Sequence, residues 1–401
     1  MKIQTIEIKG FRSLRDFKID NLDAHLNLLI GINGAGKSSV LDSIALMLSA
    51  FTARLSSNTF KGLNIQPADV SRNQKTCSII LTLDNGVEWK KLKSNQLEKS
   101  EESDFSQLNE YTKGIRFSLD ESSQVCLPVI VHYGVRRSVT DIPLKFPKTD
   151  NLNPTLAYVD WLDSRASYRD IFPWLRGEED YENELNRDSP GTRTRGLTAL
   201  RSAMESILPG YSDMRVRRRP HLEVVLKKDG MELALSQLSD GEKCYIALVC
   251  DIVRRLSLAN PTGDILQGQG IVLIDEVDLH LHPTWEQTIM ERLHRTFPNI
   301  QFIVSAHSPL VASNLDGNIY GICNGKVEPI PRIFGLDYSV ILQEWMKTAP
   351  EHKEINSLID MFRAYSDNSM PQQAQAVKDK LQELVGDRIN DLLGQTADER
   401  D

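Results

Sequence analysis

Eight residues, Gly31 to Ser38, read GINGAGKS and fit the pattern G-x-x-x-x-G-K-[ST] without a gap. They follow an apolar run typical of a buried strand and open a stretch with helical spacing, which is the context that the pattern requires. Glycines in such a loop let backbone N–H groups point at phosphate oxygens, while the lysine reaches the outer phosphates and the serine hydroxyl binds Mg²⁺. The sequence therefore predicts a site for a nucleoside triphosphate and Mg²⁺. Its predicted contact residues are Asn33, Gly34, Ala35, Gly36, Lys37, Ser38 and Ser39.

Two adjacent carboxylates form a second candidate element. Asp275 and Glu276 follow the apolar run 271–274 directly, so we expect them at the end of a buried strand. Asp275 would hold the Mg²⁺ that Ser38 also holds, and Glu276 would polarise the attacking water. A solvated turn is the alternative interpretation of an acidic pair, and the apolar run before it disfavours that alternative.

Three histidines come close to these motifs. His307 ends another apolar run, FIVSAH, where an imidazole could contact the γ-phosphate and sense its loss. A lone histidine is more often structural, but the neighbouring motifs favour the functional interpretation. His280 and His282 lie two residues apart without a third ligand nearby, so zinc binding is disfavoured. We expect them to shape the turn after Glu276.

The stretch LSQLSDGEK, residues 235–243, places Ser239 and Gly241 just before an expected helix. A hydroxyl and backbone N–H groups at a helix start suit an anion. No nucleophile–base pair stands beside them in the sequence. From the residues alone, the identity of the anion and the chain that holds it stay open.

The elements that must position these groups alternate between strands and helices. Strands are expected at the N-terminus, before the phosphate loop, before Tyr133-Gly134, around Asp229-Gly230, before Asp275 and before His307. Hairpins are expected at 77–92, with Asn85-Gly86 as a two-residue turn, and at 317–330. Helices are expected from about Lys37, at 155–208, 241–260, 284–297 and from about 335 onward, and a loop is expected at 93–112.

Bulk composition is ordinary for a globular protein of 401 residues, with 40% hydrophobic and 25% charged residues. The five cysteines include no C-x-x-C pair, which indicates reduced thiols and a cytoplasmic location. We expect neither a signal peptide nor a membrane span, because no apolar run approaches about 18 residues. The net charge of −8 argues against coating nucleic acid through overall charge, although a local basic patch stays compatible with it.

Two basic stretches leave nucleic acid open as a partner. In RVRRRP, alternate residues of a strand would put Arg215, Arg217 and Arg219 on one face. Such a face could contact DNA or RNA phosphates. A solvated face balanced by nearby acids is the slightly favoured alternative. Arg136 and Arg137 could contact the nucleotide or a partner subunit.

The order of the motifs resembles that of an ABC-type ATPase head: phosphate loop, LSDGEK, LIDE, and a strand ending in histidine. LSDGE is similar to the ABC signature LSGGQ, with Asp240 where glycine is commonest, as SMC-like and RecF-like branches tolerate. The resemblance implies that Ser239 and Gly241 bind the γ-phosphate of ATP held by a second subunit. It also implies a two-fold pair with two ATP molecules between its subunits, and it puts Asp278 near the seam.

FRSL, residues 11–14, resembles an N-terminal element of RecF-like and SMC-like heads in which the basic residue, here Arg12, contacts nucleotide. An exposed arginine after a strand is the alternative. No glutamine stands at the expected Q-loop position after Tyr133-Gly134, and Gln74 is a candidate only by proximity.

The spacing between the motifs indicates which branch of the ABC-type ATPases the chain resembles. Lys37 and Ser239 are 202 residues apart, about twice the spacing typical of transporter heads, and no heptads for a long coiled coil fill the interval. The segment after His307 is too short for an appended Toprim nuclease. The chain resembles the ATPase subunits of Septu-type and retron-associated antiphage systems in three stretches, LPVIVHYGVRR, YRDIFPWLRGEEDYENELNR and LIDEVDLHLHP.

That resemblance implies an ATP-hydrolysing regulatory subunit that controls a separate HNH-type nuclease and has no nuclease activity of its own. The implied assembly is a homodimer through an ATP sandwich, or a higher homo-oligomer, with no membrane partner. The predicted fold is α/β: an ABC-ATPase head at 1–345, with a P-loop NTPase sheet, an antiparallel β subdomain and a helical insertion at about 150–212. A C-terminal helical extension would follow at 346–401. The alternatives are a RecF-like DNA-repair ATPase that loads partners on DNA, and a binding module without turnover.

Overall fold

The computed structural model describes residues 1–56, 62–72, 74–94, 102–122, 124–135, 153–162, 168–330, 335, 353–367 and 370–385. The chain divides into two compact units, Met1–Tyr338 and Ser339–Asp401. The predicted boundary at 345–346 falls outside the described residues and stays a prediction.

The described strands are β1 (Ile3–Phe11), β2 (Leu14–Ile19), β3 (Leu26–Ile30), β4 (Thr76–Leu83), β5 (Glu88–Ser94), β6 (Val129–Tyr133), β7 (Tyr211–Arg217), β8 (Glu223–Lys228), β9 (Met231–Ala234), β10 (Gly270–Ile274), β11 (Ile300–Ser305), β12 (Asn318–Cys323) and β13 (Lys326–Ile330). The described helices are α1 (Lys37–Ser56), α2 (Ser106–Glu121), α3 (Tyr168–Asp188), α4 (Arg195–Ile207), α5 (Asp240–Ala259), α6 (Pro283–Glu286), α7 (Ile289–Thr296), α8 (Pro309–Ser313), α9 (Lys353–Asp367) and α10 (Pro371–Val385).

A six-stranded sheet forms the core of the first unit, with strand order β13-β12-β3-β11-β10-β6. All neighbours are parallel except β12 and β13. Every residue of β3, β6, β10 and β11 is buried, as their continuous apolar sequences predict for strands covered on both faces. Because β3, β10 and β11 are parallel neighbours, their carboxyl ends lie at one edge of the sheet. The loops that follow these three strands carry the predicted chemical groups.

Helix α1 packs against β10 and β11. Of the described helices, α1 is the one that is long and apolar enough to cross a membrane. However, 78% of the 18-residue apolar stretch within it is buried inside the fold. Burial of that kind is typical of a core helix. The prediction of a helix beginning at about Lys37 is confirmed.

A second, antiparallel sheet has the order β2-β1-β4-β5 and forms the predicted β subdomain. The β4–β5 hairpin is confirmed, but the predicted two-residue turn is wrong. Leu83 N donates to Val87 O, which leaves three residues, Asp84 to Gly86, in the connection. Gly86 takes the left-handed conformation, with φ +82°, that closes such a loop.

Two other local expectations are also wrong. The loop expected at 93–112 contains the start of α2, which buries only Leu108 and Thr112 and therefore shows too little apolar periodicity to be recognised. The single helix expected at 284–297 is divided into α6 and α7. Trp285 in α6 lies edge-on to Tyr211 and Tyr245, with ring centroids 6.1 and 6.3 Å away.

The helical interpretation of 155–208 is confirmed where the structure describes it, by a 3-10 turn at Pro154–Tyr158 and by α3 and α4. A buried cluster ties this region to α5 and β6. Asp251 accepts hydrogen bonds from the Tyr133 hydroxyl at 2.8 Å and from Arg255 Nε at 2.7 Å, and Arg255 also donates to Ala157 O at 2.6 Å. Burial alone would raise the pKa of Asp251, but Arg255 and Arg254 outweigh it and hold that pKa far below its ordinary value.

A third sheet, β7-β8-β9, carries the basic run. Arg215 pairs with Glu232, and Arg217 pairs with both Glu223 and Glu232. Arg219 lies beyond the end of β7, so the three arginines do not share one strand face. These contacts match the favoured alternative, a surface balanced by acids. Arg136 and Arg137 lie outside the described residues.

The second unit contributes α9 and α10, in agreement with the helices predicted after residue 335. Leu358, Ile359 and Leu381 are buried between them, with Phe362 and Val377 packed against that cluster.

Candidate active site

The predicted phosphate loop, Gly31 to Ser38, joins β3 to the start of α1, and its backbone shape requires glycines. Gly31 and Gly36 have φ values of +151° and +115°, which L side chains rarely adopt. A Cβ on Gly31 would overlap the carbonyl oxygen of Ile322, and one on Gly36 would lie 2.9 Å from Leu14 Cδ2. Gly34 has a φ of +78°, and a Cβ added to it would have no neighbouring atom within 4 Å. The loop therefore packs against the protein at Gly31 and Gly36 and is open at Gly34.

Lys37 points back into this loop. Its side chain is buried, and Nζ donates to Gly31 O at 2.7 Å and to Ile32 O at 3.3 Å. Burial lowers the pKa of Lys37, and the carboxylates of Asp275, Glu276 and Asp278 act in the opposite direction. An ammonium group held by loop carbonyls among carboxylates is in a suitable position for phosphate oxygens.

The other predicted loop contacts differ in exposure. Asn33 and Ser38 are exposed, Ser39 is half-buried, and Ala35 is buried with its N–H donating to Ile32 O at 3.1 Å. Ser38 occupies the first turn of α1, where a hydroxyl can reach a cation bound to the phosphates.

The two carboxylates directly follow β10 as predicted. Ser305, the last residue of β11, donates its hydroxyl to Asp275 Oδ1 at 2.5 Å and accepts the Glu276 N–H at 2.8 Å. This bond fixes one carboxylate oxygen of Asp275 and leaves Oδ2 for a cation. Glu276 has a φ of +50°, an uncommon conformation that is often found at functional sites. Ser305 was not predicted, because a serine within an apolar strand gives no distinctive signal.

The structure brings Glu276 and His307 together, with Oε1 and Nε2 3.6 Å apart. Asp278 holds the histidine segment in place, because its Oδ2 accepts the N–H groups of His307 at 2.9 Å and of Ser308 at 2.7 Å. The sequence placed Asp278 only near a subunit seam. Its role within the chain depends on how the segments after β10 and β11 meet, which no local pattern reveals.

We expect Asp278→Ala to reduce the turnover of ATP by about 10- to 100-fold, because small displacements of a catalytic group have effects of that size. The Michaelis constant for ATP should change little. Asp278→Asn keeps an acceptor oxygen and should recover part of the rate. Steady-state ATPase kinetics of both variants provide the measurement, and wild-type turnover in Asp278→Ala would show that His307 needs no such support.

The signature segment is held by a capping box at the start of α5. Ser239 is the N-cap residue, and its N–H and hydroxyl donate to Glu242 Oε2 at 2.7 and 2.6 Å. Glu242 also accepts from Lys228 Nζ at 2.6 Å and from the Tyr211 hydroxyl. Burial alone would raise the pKa of Glu242, but these hydrogen bonds lower it to about 2. The S-x-x-E pattern at 239–242 could have identified Glu242 from the sequence.

The signature glycine, Gly241, contacts the turn that follows Asp275 and Glu276. A Cβ on Gly241 would overlap the carbonyl oxygen of His280, whose φ is +63°. His282 caps α6 by accepting the Thr284 N–H at 3.4 Å. Both histidines thus shape the turn after Glu276, as the sequence predicts.

The carboxylate of Glu242 should make stability depend on pH. Its folded pKa lies below the ordinary value of 4.5, so it stabilises the fold above about pH 4.5, and this contribution is lost as the pH falls toward 2. We expect Glu242→Gln to lower the urea midpoint at pH 7 and the deficit to shrink at pH 4 and again at pH 3. Glu110→Gln, at an exposed position of α2, is the control. A deficit independent of pH would contradict this prediction.

Arg12 lies beside α1 but already has two carboxylate partners. Its Nε donates to Asp69 Oδ1 at 3.0 Å, and its guanidinium contacts Asp42, one turn beyond Ser38. Although burial acts in the opposite direction, these hydrogen bonds raise the pKa of Arg12. Its contact with nucleotide stays a prediction.

Taken together, the loops after β3, β10 and β11 place Lys37, Asp275, Glu276 and His307 at one sheet edge. Among the described residues, neither Ser239 nor Gly241 is hydrogen-bonded to the phosphate loop. The signature contacts the turn at His280 instead.

The structure combines a phosphate loop, a carboxylate pair, a signature helix and a histidine around one sheet. This combination defines an ABC-type ATPase head. The chain belongs to the RecF/RecN/SMC N-terminal domain family, whose model matches residues 2–327. The chain is 31% identical to the "Retron Ec83 probable ATPase" of Escherichia coli, over 86% of this chain and 76% of that protein. It is 26% identical to the Septu protein PtuA of Bacillus mycoides (strain KBAB4), over 93% of this chain and 48% of that protein. The solved SMC head bound to the C-winged helix domain of ScpA is 16% identical, over 82% of this chain and 98% of that chain, with a TM-score of 0.45.

Proposed function

We propose that the chain is the ATP-hydrolysing regulatory subunit of a cytoplasmic antiphage defence complex and that it controls a separate HNH-type nuclease. The observation that carries the hydrolytic part is the meeting of Glu276 and His307 beside Lys37 at one sheet edge. The defence part rests on similarity to retron and Septu proteins over most of the chain.

The residues present fit ATP and Mg²⁺. Lys37 and the loop N–H groups would hold the phosphates, while the oxygens of Ser38 and Asp275 are of the kind that Mg²⁺ prefers. Bound Mg²⁺ would neutralise charge on the phosphates. Glu276 would orient and polarise the attacking water, and His307 would contact the γ-phosphate.

Dimerisation is the second part of the proposal. Ser239 and Gly241 would contact the γ-phosphate of ATP held by a partner copy, and the partner would return the same contacts. ATP would favour the closed pair, and hydrolysis would allow it to open. Opening and closing would hold or release the nuclease. Higher homo-oligomers could be built from such pairs.

The test is a pull-down of the tagged Glu276→Gln chain from its native host with ATP and Mg²⁺, analysed by mass spectrometry. We expect a small HNH protein at stoichiometric yield, with less of it on a Lys37→Ala control. Nuclease assays of the purified complex with and without ATP would then show whether ATP licenses or restrains cleavage. Recovery of the chain alone, or of repair factors, would contradict the proposal.

The family match to RecF favours one alternative, a DNA-repair ATPase that loads partners on DNA. That function predicts strong, salt-sensitive binding of duplex DNA without a nuclease. A binding module without turnover would show the same ATPase rate as Lys37→Ala.

A further inference from the structure

A second cationic site lies at the far end of α1. A cavity of about 590 Å³, partly open to solvent, lies between the last turn of α1, residues 64–65, β5 and the start of α2. Arg54 in this wall stands seventeen residues after Lys37, which is about 25 Å along the helix axis. The cavity is therefore separate from the phosphate loop, and its volume is within the usual range for small-molecule sites.

The charge of the cavity is one-sided. Arg54, Lys91 and Lys93 line it, and none of the described lining residues carries a carboxylate. Asp104 is next to this wall in sequence, but its carboxylate accepts the N–H and hydroxyl of Ser106 at 2.9 and 2.7 Å. Among the described residues, the three cations have no ion-pair partner.

Neutral groups compensate these cations only in part. Arg54 donates to Asn109 Oδ1 at 2.6 Å and to Ala50 O at 2.9 Å, and Lys91 Nζ donates to Leu63 O. Burial, with a further contribution from Arg54, lowers the pKa of Lys91 to about 8, and burial also lowers the pKa of Arg54. Lys91 is buried, whereas Arg54 and Lys93 are half-buried, and a buried charge is normally paired. A bound anion would supply the missing partner.

An aromatic ring orders the two deeper cations. The Phe105 centroid lies 4.6 Å from Arg54 Cζ and 5.8 Å from Lys91 Nζ, so both cations rest near the same ring. Guanidinium and ammonium groups held side by side match the oxygens of a phosphate group. Ser103 and Asn109 add neutral hydrogen-bonding groups to the wall.

We propose that this cavity binds a phosphorylated small molecule of nucleotide size, with its phosphate oxygens on Arg54, Lys91 and Lys93. The volume of the cavity is that of a small-molecule site. The site is independent of the proposed hydrolysis of ATP, since it shares no residue with the phosphate loop.

The first test uses the Lys37→Ala chain, in which binding at the phosphate loop is weakened. Isothermal titration with ATP, AMP and inorganic tripolyphosphate should show one equivalent of at least one probe. Adding Lys91→Met and Lys93→Met should weaken that binding at least tenfold. Lys90→Met is the matched control, because its side chain leaves the opposite face of β5, and it should have no effect.

The three probes identify the ligand. Binding of ATP and AMP without tripolyphosphate would assign a nucleotide, and equal binding of ATP and tripolyphosphate would assign phosphate recognition alone; both support the site. No binding of any probe at millimolar concentration would overturn the proposal. Binding that survives the paired lysine substitutions, or binding of a DNA oligonucleotide alone, would overturn it as well.

A second measurement does not depend on the folding of the lysine variants. Lysine acetylation of the Lys37→Ala chain, mapped by mass spectrometry with and without the bound probe, should show at least tenfold protection of Lys93, which is the half-buried lysine of the site. Lys90 should react equally in both samples. Equal reactivity of Lys93 with and without the probe would overturn the proposal.

Discussion

Glu276→Gln should lower the turnover number for ATP by about 100-fold or more while ATP binding is retained, because a positioned base contributes that much to the rate. The amide keeps the size of the side chain and removes the group that polarises water. With ATP and Mg²⁺, the variant should accumulate as a closed pair. Single-turnover hydrolysis, nucleotide titration and light scattering measure the three effects.

Glu291→Gln is the matched control, since the same change at an exposed position of α7 should leave the turnover unchanged. His307→Ala should also keep ATP binding and lose turnover, because the imidazole lies 3.6 Å from Glu276. Hydrolysis by Glu276→Gln at the wild-type rate would remove this residue from the catalytic role. It would leave Asp275 as the remaining carboxylate of the pair.

Gly241→Ala should have the second large effect. The added methyl group would overlap the carbonyl oxygen of His280, and a backbone atom cannot move aside cheaply. Overpacking of this kind typically costs about 1–3 kcal/mol of unfolding free energy. Because the displaced turn directly follows Glu276, ATP turnover should also fall by about tenfold or more. Urea unfolding and steady-state kinetics measure these effects separately.

The matched control is Gly177→Ala, which makes the same chemical change in α3 with open space around the new methyl group. Alanine favours a helix over glycine by about 1 kcal/mol, so this variant should be as stable as the wild type or more stable. Similar losses in both variants would show that contact with His280 is not what position 241 requires.

The sequence predicted the strands and loops of the site well because their patterns are local. A continuous apolar run followed by GINGAGKS or DE has few structural interpretations, and β3, β10 and β11 lie where these runs indicated. Because these strands are parallel neighbours, their carboxyl ends lie at the same edge of the sheet, and the loops that follow them meet there. The capping box at Ser239 was also available from the sequence.

The contacts across loops could not be predicted in the same way. Ser305 reaches Asp275 only because β11 pairs with β10 in a register that places Val304 opposite Ile274. Asp278 reaches the His307 N–H for a similar reason, across 29 residues of sequence. Such bonds depend on tertiary register, and serine or aspartate in these positions gives no local signal.

Position 12 illustrates a further limit. Sequence similarity selected Arg12 as a nucleotide contact, while the structure shows its guanidinium between Asp42 and Asp69. A competing ion pair from α1 is invisible without the fold. The helix α2 was missed for the opposite reason, since most of its surface faces solvent and its apolar periodicity is weak.

The place of β3 in the core sheet affects the synthesis of the protein. Its neighbours are β11 and β12, which end at Ser305 and Cys323. At about 5–20 residues per second, the ribosome needs roughly 15 to 60 s to add the intervening chain. During that time the apolar strand 26–30 has no sheet partners and is a natural target for chaperones. The surroundings of the phosphate loop, in which Gly31 packs against the Ile322 carbonyl, are complete only after β12 has been synthesised.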